Sequence, residues 1–65
     1  MISISIIIPV YNEEKTVLTV LNKLNIIKNI ANFEIIIIND GSTDNTKKII
    51  DENHDLYNLS IHLKK

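Results

Sequence analysis

The sequence has no cysteine, one glycine and almost no net charge, and each shortage removes a class of protein. Without cysteine there is neither a disulfide scaffold nor a Cys-ligated zinc site. The two histidines do not replace one: His54 lies in a polar stretch and His62 in an alternating run, with no second ligand at metal spacing, so both are expected at the surface. A single glycine, Gly41, is too few for the three-glycine dinucleotide fingerprint or a Walker-type phosphate loop. With 7 basic and 8 acidic residues the net charge is −1, so no overall field draws the chain to nucleic acid or to an anionic membrane. No apolar run is long enough to span a bilayer. The apolar opening, Met1 to Val10, lacks a basic leading segment and breaks at Pro9, unlike a signal peptide. A cytosolic location is the resulting expectation. At 65 residues the chain has room for one small domain, which buries only about 60% of the surface its unfolded form exposes.

What the chain does have is two β-branched runs that stop at polar clusters. Ile2 to Val10 becomes continuously apolar at Ile6, as in a strand covered on both faces, and Pro9 fits only at its end. From Glu13 the period changes: Val17, Val20, Leu21, Leu24 and Ile27 recur at three and four, the mark of one helix face. Asn12 is positioned to cap that helix, Glu13 and Glu14 suit its positive end and Lys28 its negative one, and it should end at 29–32. A second strand, Phe33 to Asn39, carries the Ile35 to Ile38 run, a hazard for aggregation if left unpaired. Gly41 permits a sharp turn, Ser42 or Thr43 can cap a second helix to about Asn53, and Ile49 and Ile50 should face inward with Lys47 and Lys48 outward. Leu59 to Leu63 alternates like a third, half-exposed strand.

The order is β-α-β-α-β. Right-handed crossovers make the first two strands parallel neighbours, so Tyr11-Asn12-Glu13 and Asn39-Asp40-Gly41-Ser42 converge on one edge. That edge offers an aromatic ring, a side-chain amide and a carboxylate, a set that suits a nucleobase. Tyr11 can pack on the base, Asp40 can accept from a ring N–H, and Asn12 can donate and accept. A carboxylate repels bare phosphates, so the diphosphate of a bound nucleotide needs a metal or basic groups from elsewhere.

Ser5-Ile6-Ile7-Ile8-Pro9-Val10-Tyr11-Asn12-Glu13, a helix, then Glu34-Ile35-Ile36-Ile37-Ile38-Asn39-Asp40-Gly41-Ser42-Thr43-Asp44-Asn45-Thr46 resembles the amino-terminal part of family 2 glycosyltransferases, over nearly the whole chain. The resemblance implies the opening portion of a GT-A fold, a three-layer Rossmann-like α/β parallel sheet, with residues 1–65 as the amino-terminal fragment of a single domain. It implies that Pro9, Tyr11, Asn12 and Glu13 line the nucleotide pocket of the sugar donor, that Asp40 binds the base, and that Gly41 and Ser42 shape the turn. Asn39 departs from a common form of the motif in which two acids stand side by side. The partners implied are a UDP- or GDP-sugar and an acceptor glycan or lipid phosphate, with the remainder of the domain required and, if an anchor is present, work at the cytoplasmic face of a membrane. A divalent cation, Mg or Mn, is implied as cofactor. Its Asp-any-Asp ligands and the catalytic base fall outside these residues, so no catalytic or metal residue is assigned here and the 65-residue chain alone should be inactive. Two alternatives stand beside the transferase: a flavodoxin-like regulatory or binding module with Asp40 as phospho-acceptor or cation ligand, and a non-catalytic remnant.

Overall fold

β-Branched residues crowd three short segments, and all three become strands of one sheet. The computed structural model describes residues 4–28 and 31–64. Along them run β1 (Ser5–Val10), α1 (Val17–Lys28), β2 (Glu34–Asp40), α2 (Thr46–Glu52), a short 3-10 turn (His54–Leu56) and β3 (Leu59–Leu63). The sheet order is β1-β2-β3 and both pairings are parallel, with Ile7 opposite Ile36 and Ile36 opposite Leu59. This is the β-α-β-α-β Rossmann-like arrangement the sequence predicts. Pro9 falls next to the end of β1, an edge strand, where a missing N–H is tolerated.

Two right-handed crossovers between strands in the order 1-2-3 put both helices on one side of the sheet. The core lies between them: Val10, Ile35 and Ile37 from the strands meet Val17 and Leu21 of α1 and Ile50 of α2. The described residues thus build two of the three expected layers. The opposite face is open, so β1 and β2 are covered on one side rather than both, and Ile7 is 60% exposed. In β3 the apolar residues Leu59, Ile61 and Leu63 are exposed on that open face, while Ser60 and His62 face the helices. The stripe on α1 is also narrower than its periodicity suggests: Val17 and Leu21 are buried and Leu24 packs against the core, but Val20 and Ile27 are exposed. In α2, Ile50 is buried, Ile49 packs on the core and both lysines point outward, as expected.

The helix starts differ from the sequence reading. α1 begins at Val17, although its first bond, from the Val17 N–H, reaches back 2.8 Å to the Glu13 carbonyl. Asn12 is not its cap: the residue has φ 50, and its Oδ1 instead accepts the Thr43 N–H at 2.8 Å. α2 begins at Thr46, later than a cap at Ser42 or Thr43 requires. The Asp44 carboxylate takes the Thr46 N–H at 2.9 Å, while Ser42 and Thr43 turn toward Asn12. In both places a short polar side chain that could serve its own helix bonds across to the other loop. The predicted end of the first helix at 29–32 overlaps residues 29 and 30, which lie outside the described residues, as do residues 2 and 3 of the predicted first strand.

Candidate functional site

The loop after β1 and the loop after β2 meet at the carboxyl edge of the sheet and are joined by hydrogen bonds of similar design. Three successive N–H groups of the first loop donate to side chains of the second: Asn12 to Ser42 Oγ at 2.9 Å, Glu13 to Thr46 Oγ1 at 2.9 Å, and Glu14 to Asp44 Oδ2 at 3.4 Å. Three bonds return, from the Thr43 N–H and hydroxyl to Asn12 Oδ1 at 2.8 Å and 3.4 Å and from the Asn45 N–H to Glu14 Oε2 at 3.4 Å. The structure therefore brings together the two clusters that the sequence places some thirty residues apart.

Position by position, Pro9 is exposed on the open face near the end of β1, and Tyr11, 51% exposed, follows the strand. Asn12 and Glu13 form the first loop, and the Glu13 carboxylate accepts the Thr16 hydroxyl at 2.8 Å. Asp40 ends β2 half-buried, opposite Leu63 of β3. Gly41, with φ 69, makes the left-handed turn that a residue with a Cβ resists. Ser42 then returns to the first loop. A groove along the edge of β1 reaches Pro9 and Glu13 together with Thr16, Val17 and Val20, and does not extend to Tyr11 or Asp40.

Alternation along β2 separates the neighbours Asn39 and Asp40. Asn39 is 2% exposed and faces the helices, whereas Asp40 belongs to the open face. The amide at position 39 and the Asp40 carboxyl therefore belong to opposite faces of the sheet.

Three residues of this edge have roles the sequence did not suggest. Thr46 is fully buried, and its hydroxyl, besides accepting the Glu13 N–H, donates to Asp44 Oδ1. Burial pushes the Asp44 carboxyl up, but the Thr46 hydroxyl and the N–H groups of Thr46 and Glu14 outweigh it and hold it below the ordinary carboxylate range. His62 is not a surface residue: it is half-buried on the helix side of β3, with Nδ1 3.1 Å from Asn39 Nδ2 and Nε2 3.3 Å from Asp51 Oδ1. The Lys47 ammonium, 2.8 Å from Asp51, holds that carboxyl low, with a smaller contribution from His62. A serine, an aspartate and a threonine at alternate positions, 42, 44 and 46, were the available signal for the loop junction; nothing in the sequence signalled the pairing of His62 with Asn39.

Among the described residues no group of three His, Cys, Asp or Glu side chains could hold a metal ion, and no helix is long and apolar enough to cross a membrane.

A parallel α/β sheet with polar loops locked together at its carboxyl edge defines a Rossmann-like framework. The chain belongs to glycosyl transferase family 2, whose sequence model matches residues 5–65. It is 51% identical, over 49 residues, to the UDP-N-acetylglucosamine–dolichyl-phosphate N-acetylglucosaminyltransferase of Methanococcus voltae, an alignment covering 75% of this chain and 18% of that protein. It is 44% identical over 46 residues to an uncharacterised protein of Methanocaldococcus jannaschii, covering 71% of this chain and again 18% of the relative. The chain thus spans less than a fifth of the length of these curated relatives. No solved structure matches it.

Proposed function

We propose that this chain supplies the nucleotide-binding part of the donor site of an inverting glycosyltransferase, which moves a sugar from a nucleotide diphosphate-sugar to an acceptor hydroxyl or polyprenyl phosphate. The observation that carries the reading is the junction of the two loops, which holds Asp40 and Tyr11 at one sheet edge by hydrogen bonds from Asn12, Glu13 and Glu14. In this reading Tyr11 packs on the base, Asp40 accepts its ring N–H, Pro9, Asn12 and Glu13 line the pocket, and Gly41 and Ser42 fix the turn. The M. voltae relative, named for a UDP-N-acetylglucosamine donor and a dolichyl phosphate acceptor, favours a uridine donor and a lipid phosphate acceptor here.

Residues 1–65 are proposed to form the amino-terminal portion of a single domain, inactive without the remainder. Among the described residues no three potential ligands cluster. The ligands of a Mg or Mn ion, and the base that activates the acceptor, are proposed to lie outside this chain.

The test is titration of the protein, as its host makes it, with UDP and GDP, each with and without Mn²⁺. Asp40→Ala should weaken binding of the preferred nucleotide at least about tenfold, the loss of a charge-assisted hydrogen bond. Unchanged affinity would remove the base-binding assignment.

A further inference from the structure

The side chains behind the loop junction form a continuous polar path with a histidine at its far end. The Ser42 N–H and Oγ–H both lie against Asn39 Oδ1, at 3.3 Å and 2.5 Å. A backbone N–H can only donate, so the amide oxygen of Asn39 must face Ser42 and its NH₂ must face His62. His62 Nδ1 is then the acceptor of the 3.1 Å contact, and the imidazole proton sits on Nε2. Nε2 is shielded from solvent and lies 3.3 Å from Asp51 Oδ1, within ion-pair range but too poorly aligned for a hydrogen bond. The hydrogen-bonded path therefore runs His62, Asn39, Ser42, Asn12, with Asp51 beside its histidine end.

We propose that His62 is a positioning residue: through Asn39 it holds Ser42 where it accepts the Asn12 N–H, and protonation of His62 opens that end of the loop junction. A second proton can go only to Nδ1, where it meets the Asn39 NH₂. Relief requires the amide to turn over, which sets its NH₂ against the Ser42 N–H and removes the acceptor that orients the Ser42 hydroxyl. The charged groups facing His62 come from α2, namely Asp51 with its partner Lys47, and from β2 the neutral amide of Asn39 faces it. Asp51 lies on the Nε2 side and does not relieve the conflict at Nδ1. The effect on ligand affinity rests on the nucleotide reading above, because Ser42 and Asn12 belong to the proposed pocket. The effect on the junction does not.

The experiment follows the backbone amides of Asn12 and Ser42 by NMR in ¹⁵N-labelled protein through the range where histidines titrate, about pH 5 to 8, with nucleotide affinity measured in parallel. Both amides should shift together with the His62 imidazole, and affinity should fall about five- to tenfold on acidification, as for one lost hydrogen bond. In His62→Gln, whose amide oxygen can accept from Asn39 but does not titrate, both responses should flatten. In Asn39→Asp the carboxylate can face an Nδ1–H and still accept from Ser42, so the junction should survive acidification. Asn12 and Ser42 amides that ignore the His62 titration would overturn the proposal, as would an acid response undiminished in His62→Gln. If no nucleotide binds at any pH, the base-site reading fails, while the amide titration still decides the role of His62.

Discussion

Replacing Thr46 by valine should loosen the loop junction without disturbing the core. The side chain is fully buried, and its hydroxyl accepts the part-buried Glu13 N–H at 2.9 Å while donating to Asp44. Valine matches threonine in shape, so the change removes the hydroxyl and leaves the Glu13 N–H without its acceptor. An unsatisfied buried donor costs about 1–3 kcal/mol. Thr46→Ser makes the opposite cut, keeping the hydroxyl and removing one methyl group, at about 0.8 kcal/mol of lost apolar burial plus a small cavity term. Thermal unfolding and amide exchange of the protein as its host makes it would separate the two. In the valine variant the Glu13 amide should exchange roughly ten- to a hundredfold faster, and Tm should fall further than in the serine variant. An unchanged Glu13 exchange rate in Thr46→Val, or a larger Tm loss in Thr46→Ser, would refute the idea that this hydroxyl ties the loops.

Two further outcomes follow from the fold. The isolated 65-residue chain should self-associate through its open sheet face, where Ile7, Leu59, Ile61 and Leu63 are exposed; sedimentation should show oligomers that Ile61→Lys reduces, and a monodisperse monomer would contradict this. The Asp44 carboxyl titrates below its ordinary range in the folded protein, so its charge stabilises the fold above about pH 4 and that contribution disappears as the pH drops through its lowered value. The Tm difference between the native protein and Asp44→Asn should therefore be present at neutral pH and close in acid; a constant difference would refute it.

The strands and their parallel order were readable because a run such as Ile35 to Ile38 has few other places to go than the middle of a sheet. The edge where the loops meet followed from topology alone. Helix starts were harder to read, since Asn12, Ser42 and Thr43 have the chemistry of caps and sequence gives no indication that a partner loop lies closer than the helix end. The orientation of β3 was illegible for a related reason. Alternation in Leu59-Ser60-Ile61-His62-Leu63 says that two faces differ, but only the register with β2 determines that Ser60 and His62 turn toward the helices. His62 looked ordinary because its partners, Asn39 and Asp51, are remote along the chain and become neighbours only when β2, β3 and α2 pack.

The loop junction has an uneven division of labour, and that makes it unevenly tolerant of mutation. From the first loop come the main-chain N–H groups of residues 12, 13 and 14; Asn12 and Glu14 also accept through their side chains, whereas at position 13 any amino acid except proline would supply the donor. From the second come the side-chain oxygens of Ser42, Asp44 and Thr46, which few substitutions reproduce. Sequence drift at position 13, which joins the second loop through its main-chain N–H, can thus alter what lines the edge while the spacing of the two loops stays fixed. The same drift at 42, 44 or 46 would change the spacing itself, so a new ligand preference is more easily acquired through the first loop than through the second.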